Sequence, residues 1–535
     1  MGRVNGCGGA GRVEARVPFY YTHLGKNILL LVLSLVTAPV SAAIVLASLA
    51  GSVVLATSKP VLQKDASLSS SSSSSSSPNR KTILVTGVSM TKGLAIARSL
   101  AQHTPHRIIG ADISSLSPGR FSNAIAKYYR LDSPHGDDAE PYMDSLLSVL
   151  AAESVHLWIS CSSVVAAVQD GQVVGRARAA AQEKGRVFEA IQFDQEVVET
   201  FHQKDKFIDY IASLNLPIPE SYRCTSPDEA LRVLLHKTDD DDDDVLPNKH
   251  FLAKPIGVDD AARNAIMTLL PLDHDPDKTT HYVHRLNISP QNPFQLQQYI
   301  DGNEYCTHAL VVRGHVKAFT ACPSSELLMH YAPLPASSPL ARAMLTFTET
   351  VAQDGGQACT GHLSFDFVVP ANAHHADEEE EQEEPILYPI ESNPRAHTAV
   401  VLFDKTPQMA DAYLSVLDNP MTDFKTSSSP VFPLEPTKSV FWLGHDLVAL
   451  GILPLLDALL SGRGSSSSSW QHVVAGVRDL ATHVLYWQDG TWTMRDPVPF
   501  FVLYHAYWPA RFLDSLRKGK RWSRINVSTT KMFDG

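Results

Sequence analysis

The stretch Ile390 to Arg395, IESNPR, sets an acid, an amide and a guanidinium at every second position. Side chains of an extended segment alternate faces, so Glu391, Asn393 and Arg395 share one side while Ile390 and Ser392 take the other. Packing has no use for that trio, whereas oxygen ligands beside a cation suit a divalent metal that holds phosphate. The plain alternative is a solvated strand edge ending at Pro394. A second acid stands in GHLSFDFVVP, where Asp366 lies between Phe365 and Phe367. Burying an unpaired carboxylate there is costly, so packing alone accounts poorly for it.

The two stretches read as the strands of one hairpin, with the acidic run DEEEEQEE (Asp377 to Glu384) in the connecting loop. An insertion at a hairpin tip leaves its strands adjacent, which brings Asp366 beside Glu391. Upstream, DQEVVETFHQKDKFIDYIASLNLPIPES predicts a helix carrying Lys206 to about Leu214, after which Pro217 and Pro219 impose extended backbone. KHFLAKPIG predicts a strand with Lys254 at its end, and PFQLQQYIDGNEYCTHALVV a strand, a turn at Asp301 and Gly302, and a second strand. Lys206 and Glu304 also fit ordinary surface positions, and His308 and His397 fit satisfied structural histidines.

Nearer the amino terminus, KTILVTG, the Gly87 to Gly93 turn, LAIARSLAQ and RIIGAD form a βαβ unit, and VHLWISCS and Phe188 to Ile191 add strands. This small doubly wound unit raises a nicotinamide oxidoreductase as one reading, with Gly87 and Gly93 under a pyrophosphate and Asp112 on a ribose. Against it, TGVSMTKG has Thr91 where the short-chain dehydrogenase fingerprint wants glycine, and no tyrosine has a lysine four residues on. A fold alone does not set a function.

At 535 residues and 44% hydrophobic, the chain can bury a large core and divides into roughly three domains. Its net charge of -12 is outweighed by Asp239 to Asp244 together with the acidic run, so the remainder is near neutral and neither a basic partner nor nucleic acid is implied. Six cysteines without a CxxC pair fit a reducing compartment without zinc. Residues Asn27 to Ser58 carry no charge, more than the roughly 20 residues a bilayer requires and more than the apolar core of a cleaved signal.

Two lysines, a strand and hinge ending in an acid, and an Asp followed by Glu-x-Asn on a neighbouring strand resemble, in that order, the ATP-grasp ligases over about Arg80 to Phe403. The resemblance implies an α/β fold, a Rossmann-like preATP-grasp domain plus two α+β subdomains clamping ATP. It also implies Mg2+ (or Mn2+) on Asp366, Glu391 and Asn393, and Arg395 steadying the transferred phosphoryl group. Lys206 and Lys254 would contact the phosphates, the hinge Gln297, Gln298, Tyr299 and Ile300 the adenine, and Glu304 the ribose. The glycine-rich loop usual after the second lysine is reduced here to Gly257. Within the superfamily, KTILVTGVSMTKGLAIARSL, GRFSNAIAKYY, EYCTHALV, GHLSFDF, ESNPRAHTAV and the stretch from Asp496 to Asn526 are similar to the mycosporine-glycine synthases. These join an amino acid to the cyclohexenone-type acceptor 4-deoxygadusol. That likeness implies roles for Arg395 and His397 in catalysis and for His308, Ser324 or Ser325 in holding acceptor or amino acid. A ligase of another carboxylate and amine stays open.

For an ATP-using enzyme the apolar segment poses a topological problem. Arg12, Arg16 and Lys26 precede it, which by the positive-inside tendency would send the remainder across the membrane, away from ATP. Pro39 offers a re-entrant anchor of two short arms that leaves the catalytic body cytosolic. The expected organisation is a tail and membrane anchor over 1–58, a Ser-rich linker over 59–79, the Rossmann-like domain over 80–193, the ATP-grasp domain over 194–403 and an extension over 404–535. In the extension, GRGSSSSSW predicts a loop, and PFFVLYHAYWPARFLDSLRKGKRW either an interfacial helix with Arg517, Lys518, Lys520 and Arg521 on anionic lipid or a buried element.

Overall fold

Runs such as ILV, IIGA and LWI, with no polar residue at alternate positions, have the composition of strands covered on both faces, and KYYR adds a more exposed edge. In the computed structural model, which describes residues 18–56, 80–134, 138–161, 164–235, 249–256, 268–272, 275–324, 329–371, 385–418, 429–460 and 467–534, they form one parallel sheet. Its strands are β1 (Thr82–Thr86), β2 (Arg107–Asp112), β3 (Lys127–Arg130), β4 (Leu157–Ile159) and β5 (Glu189–Ile191), in the order β3-β2-β1-β4-β5. The connections run through α2 (Thr91–His103), α3 (Glu140–Ala152) and α4 (Ala167–Glu183), numbered after the amino-terminal α1 (His23–Ala56).

Two antiparallel sheets follow. The smaller joins β6 (Ser221–Cys224), β7 (Phe251–Pro255), β8 (Leu269–Leu270) and β9 (Phe294–Gln298) in the order β6-β9-β7-β8. The larger joins β10 (Gly302–Val312), β11 (His315–Pro323), β12 (Gly361–Pro370) and β13 (Tyr388–Asn393) in the order β11-β10-β12-β13. Consecutive strands β9 and β10 therefore belong to different sheets, and residues 299–301 are the only chain between them. The larger sheet rests on α5 (Gln195–His202), α6 (Lys204–Ser213) and α9 (Pro339–Gly355), where α7 (Pro227–Leu235) and α8 (Pro276–His284) have served the smaller one. Phe365 and Phe367 are fully buried on that side; Phe365 stacks on Phe207 at 6.0 Å, and Phe347 meets Phe367 edge-on at 5.0 Å. Alternation then turns Asp366 to the other face.

The carboxy-terminal extension contributes α10 (Gln408–Leu414), α11 (Leu443–Leu460), α12 (Ser467–Tyr486) and a helical stretch over 498–518, α13, with a π turn at Leu503–Tyr507. Two expectations need correction here, and an open one is decided. Helix α1 runs unbroken through Pro39, so there are no two arms. A proline removes one backbone bond and crowds one carbonyl, and a 34-residue helix in apolar surroundings bends sooner than it exposes the rest of its backbone. Ser467–Trp470, expected in a loop, open α12. Of the two readings of α13 the fold matches the buried one: Phe500, Tyr507, Trp508 and Phe512 are buried, while Leu513, Asp514, Arg517 and Lys518, and beyond the helix Lys520 and Arg521, are exposed.

One flank of α1 lies along α13. Trp522 Nε1 donates to Asn27 Oδ1 at 3.2 Å, the Ser34 hydroxyl to the Tyr504 carbonyl at 2.8 Å, and Trp492 Nε1 to the Ser48 hydroxyl at 3.2 Å. The opposite flank leaves Val32, Leu35, Val36, Val40 and Leu46 exposed. By length and composition His23–Val54 and Leu443–Leu460 could each cross a bilayer, a test that core helices and signal sequences also pass. The poly-Ser tether, both acidic runs, Arg12, Arg16, Gly257 and Ser325 lie outside the described residues.

The extension is tied to the parallel sheet by a buried ion pair. Arg98 Nε meets Asp496 at 2.8 Å, and the same carboxylate accepts from the Ser122 hydroxyl at 2.6 Å and the Asn123 N–H at 2.9 Å. Asp496→Ala strands a guanidinium that is only 11% exposed, so a loss of about 3–5 kcal/mol is expected. A fall in the urea midpoint with unchanged far-ultraviolet circular dichroism in water checks it; an unmoved midpoint would refute the ion pair's role.

Candidate active site

The pairing of β12 with β13 sets Asp366 directly opposite Glu391 and Ser364 opposite Asn393, with a register shift between Asp366 and Phe367. The Asn393 amide donates to Asp366 Oδ2 at 3.1 Å. On the other side of β12, β10 brings Cys306 opposite Asp366 and Glu304 opposite Val368. The alternation expected through Arg395 stops early: β13 ends at Asn393, and Arg395 folds back so that its N–H donates to the Asn393 carbonyl at 2.8 Å. Pro394 has no N–H with which to continue the ladder.

Electrostatics show why these acids need a counter-charge. Desolvation pushes the Asp366 carboxyl up to about 7; Glu391 raises it further, Arg395 opposes, Glu304 adds to the rise and the Asn393 hydrogen bond pulls it down. Three carboxylates thus converge on one face. Their oxygens, with the Asn393 amide oxygen on rotation of the side chain, are hard donors of the kind Mg2+ takes, and a dication there removes the repulsion, so the residues fit the ion. Cys306 and His397 also place ligand atoms within 4.8 Å of each other and of Asp366, which gives this acid a softer second set of neighbours.

Behind this face lies a group that sequence reasoning missed. Lys92, in the first turn of α2, is 3% exposed and donates from Nζ to the Ala396 carbonyl at 2.8 Å, between Arg395 and His397. Burial first, and then Arg395, bring its ammonium down to about 7, while the Cys161 thiol acts weakly in the other direction. His397 falls to about 3 through burial, Lys92 and Arg395, and its Nδ1 accepts the Ala399 N–H at 3.2 Å as a cap on the 3-10 turn Thr398–Phe403. His308 is fully buried, its Nδ1 accepting the His397 N–H at 3.3 Å, and burial drives it well below the usual imidazole range. His362, likewise unforeseen, meets the Tyr413 hydroxyl at 2.9 Å. The available signal was Lys92 itself: a lysine opening a helix after a parallel strand sits where doubly wound sheets bind anions.

The remaining expected residues are more scattered. Lys254 pairs with the Gln297 side-chain oxygen, and Gln297 is buried between Ser221 and Leu252 in the sheet. In the hinge, the Gln298 N–H donates to the Glu220 carbonyl and the Tyr299 N–H to the His250 carbonyl, both at 2.7 Å, so these two donors are engaged within the chain, unlike the backbone contacts expected of them. Lys206 is exposed on α6, with no contact that ties it to the carboxylates. Glu304 and Ser324, joined by the Ser324 N–H to the Glu304 carbonyl at 2.8 Å, line a cavity of about 980 Å³. Leu30 and Leu33 of α1, Tyr504 and His445 form its far wall. His308 is not among its lining residues.

The dinucleotide reading meets a blocked turn. Asp112 accepts the N–H groups of Ser89 at 2.8 Å and Ser114 at 3.2 Å, and the Thr91 N–H at the head of α2 donates to the Ser528 carbonyl at 2.8 Å. Gly87 has φ +68, and a Cβ on Gly93 would come within 2.5 Å of the Gly87 carbonyl, so both glycines are explained by close packing of the turn.

No family model matches the sequence, and no curated protein matches it. Among solved structures it is similar to an L-amino acid ligase from Bacillus licheniformis, at 14% identity and a TM-score of 0.42 over 68% of this chain and 78% of that one. It is also similar to N5-carboxyaminoimidazole synthetase from Staphylococcus aureus complexed with ADP, at 13% and 0.45 over 72% and 86%. The biotin carboxylase domain of the Hydrogenobacter thermophilus 2-oxoglutarate carboxylase, in complex with MgADP, matches at 11% and 0.42 over 65% and 71%. Likenesses this distant do not decide an activity.

The raised Asp366 carboxyl has a measurable sign. The folded chain keeps this proton up to about pH 7, whereas the unfolded chain releases it near 3.8, so metal-free folding loses stability as pH rises between those values. Relative to Asp366→Asn, the thermal midpoint of the wild type in chelator should fall across that window and recover when Mg2+ is added at pH 8. A difference that stays flat with pH contradicts the assignment.

Proposed function

We propose that the chain is an ATP-dependent ligase of ATP-grasp type that phosphorylates an enol or carboxylate oxygen and joins the activated carbon to an amine. The observation that carries this reading is the facing pair Asp366 and Glu391, with the Asn393 amide hydrogen-bonded to Asp366, on a sheet connected to a second antiparallel sheet by three residues. Two sheets linked by so short a segment can close on a nucleotide, with the carboxylates on one jaw and Lys254 on the other. Asp366, Glu391 and Asn393 would hold Mg2+, which neutralises phosphate charge as the γ-phosphoryl group moves. Arg395 supplies positive charge behind that point; Lys92, whose ammonium is brought down to about 7 by burial, supplies a hydrogen bond and only part of a charge, and His397, held neutral, adds none.

The substrates proposed are 4-deoxygadusol and glycine. The acceptor ring is a vinylogous acid whose enol oxygen leaves poorly as hydroxide. Its attack on the γ-phosphorus releases ADP and forms a C–O–P linkage; glycine nitrogen then adds to the ring carbon, the C–O bond breaks with loss of phosphate, and the nitrogen gives up a proton. The product is the enaminone mycosporine-glycine. A carboxylate acceptor is the second reading, in which the apolar wall that α1 presents to the cavity beside Glu304 and Ser324 would take the apolar part of the acid and not its carboxylate. The outward apolar flank of α1 supports membrane association, with the ATP-using body on the cytosolic side.

Purified chain given MgATP, glycine and 4-deoxygadusol should release ADP and develop a near-ultraviolet absorbance in step with it. Glu391→Ala should lower ADP release by about 100-fold or more while the chain stays folded. Retained turnover in that variant rules out the metal assignment, and ADP without the new band moves the acceptor to another carboxylate. In sealed microsomes, added protease should digest the carboxy-terminal half; full protection places the body on the wrong side.

A further inference from the structure

In the extension, away from the carboxylates of β12 and β13, three histidines converge on one acid. His330 Nε2 lies 3.0 Å from each oxygen of Asp446, His483 Nδ1 lies 2.7 Å from Oδ2, and His445 Nδ1 lies 3.3 Å from Oδ1. The Asp446 side chain is wholly buried, and those of His330, His445 and His483 are 20%, 15% and 10% exposed. The four come from three places in the chain: the segment after β11, the start of α11 and the end of α12. Trp487 covers the group, its ring 4.2 Å from that of His483 and 5.1 Å from that of His330.

A buried aspartate does not need this to be satisfied. Two others in the same extension show the ordinary solution: Asp489 accepts three backbone N–H groups, and Asp496 accepts a backbone N–H, a hydroxyl and a guanidinium. Among the described residues Asp446 is met by imidazole nitrogens alone. His330, His483 and Asp446 place ligand atoms within 4.8 Å of one another, sheltered by an indole, and His445 Nδ1 adjoins Asp446 Oδ1; imidazoles and a carboxylate are ligands that a tetrahedral zinc site uses. Bringing the nitrogens from about 3 Å off the carboxylate to about 2.0–2.1 Å from a shared central ion needs only small side-chain rotations. The lack of paired cysteines speaks against a thiolate zinc site and says nothing about an imidazole one.

We propose that His330, His483 and Asp446 bind one Zn2+ or a divalent transition ion of similar preference, and that His445, beside Asp446, turns in as the fourth ligand. Four protein ligands close the site, so its role is structural. It fastens α11 and α12 to the segment carrying Met329 and Tyr331; Met329 lines the cavity, and the Tyr331 ring lies 5.7 Å from that of His397. Zinc here would hold that wall in place without touching substrate.

The test uses the full chain stripped with chelator, dialysed and titrated with ZnCl2 alone. Near one equivalent of tightly held zinc by elemental analysis, a change in tryptophan emission that saturates at the same ratio, and a rise of several degrees in thermal midpoint are expected. His330→Gln, at the most exposed of the four, and the double variant with His483→Gln should lose the tight equivalent and the emission change while keeping a native circular dichroism spectrum. Cys306→Ala and Glu391→Ala should keep both, which separates this site from the proposed nucleotide-binding face. Equal zinc in the wild type and the double variant, or no tight zinc in the wild type, overturns the proposal.

Discussion

Two carboxylates held opposite one another on adjacent strands is the constraint around which this molecule is arranged. Like charges at directly opposed positions in a sheet oppose the pairing, by up to about 1 kcal/mol. The aromatic layer beneath outweighs that: Phe365 and Phe367 flank Asp366 and are fully buried, each worth about 1.5–3 kcal/mol. The strand therefore cannot turn Asp366 away without exposing both rings. The sheet's core fixes the register, and the register forces the acids together, which leaves a standing demand for a cation.

That demand is met from behind by groups whose own charge is restrained. Lys92 reaches the loop after β13 from another sheet and is brought close to neutrality by burial and Arg395. The surrounding histidines are all pushed toward the neutral form, by burial before anything else. A layer of strongly charged cations there would satisfy Asp366 permanently and compete with a metal. A desolvated lysine and neutral imidazoles supply hydrogen bonds and shape while the face itself stays anionic.

How much of this could be read from sequence follows from contact range. Asp366 beside Glu391 was legible because a hairpin is local and its alternation survives an insertion at the tip. Lys92 was not, since its partner Ala396 lies 304 positions away, and neither Cys306 nor His362 stands in a pattern of its own. Arg395 was assigned to a strand face that Pro394 had already ended. At Pro39 a local cost was weighed without the 34 residues that carry the helix past it. The aromatics of α13 left a buried and an interfacial reading open, because a lipid interface and a protein interior select the same side chains. What covers them is α1, whose Ser34 hydroxyl donates at 2.8 Å to the carbonyl of Tyr504, 470 positions along the chain.

The extension also fills the place where a doubly wound sheet ordinarily receives a ligand. In such sheets ligands settle in the crevice beyond the carboxyl ends of the strands, on free N–H groups at the head of a helix. In this chain that place is filled: Ser528 takes the Thr91 N–H, Trp442 Nε1 donates to the Thr91 hydroxyl at 3.1 Å, and Arg98 of the same helix is locked to Asp496. With its anion site closed by its own carboxy terminus, α2 becomes a rigid mount, and Lys92 in its first turn is aimed at the loop that follows the acidic strand. The parallel sheet thus meets the candidate site through a buried side chain, while the carboxylates that could hold a metal stand on the antiparallel sheet.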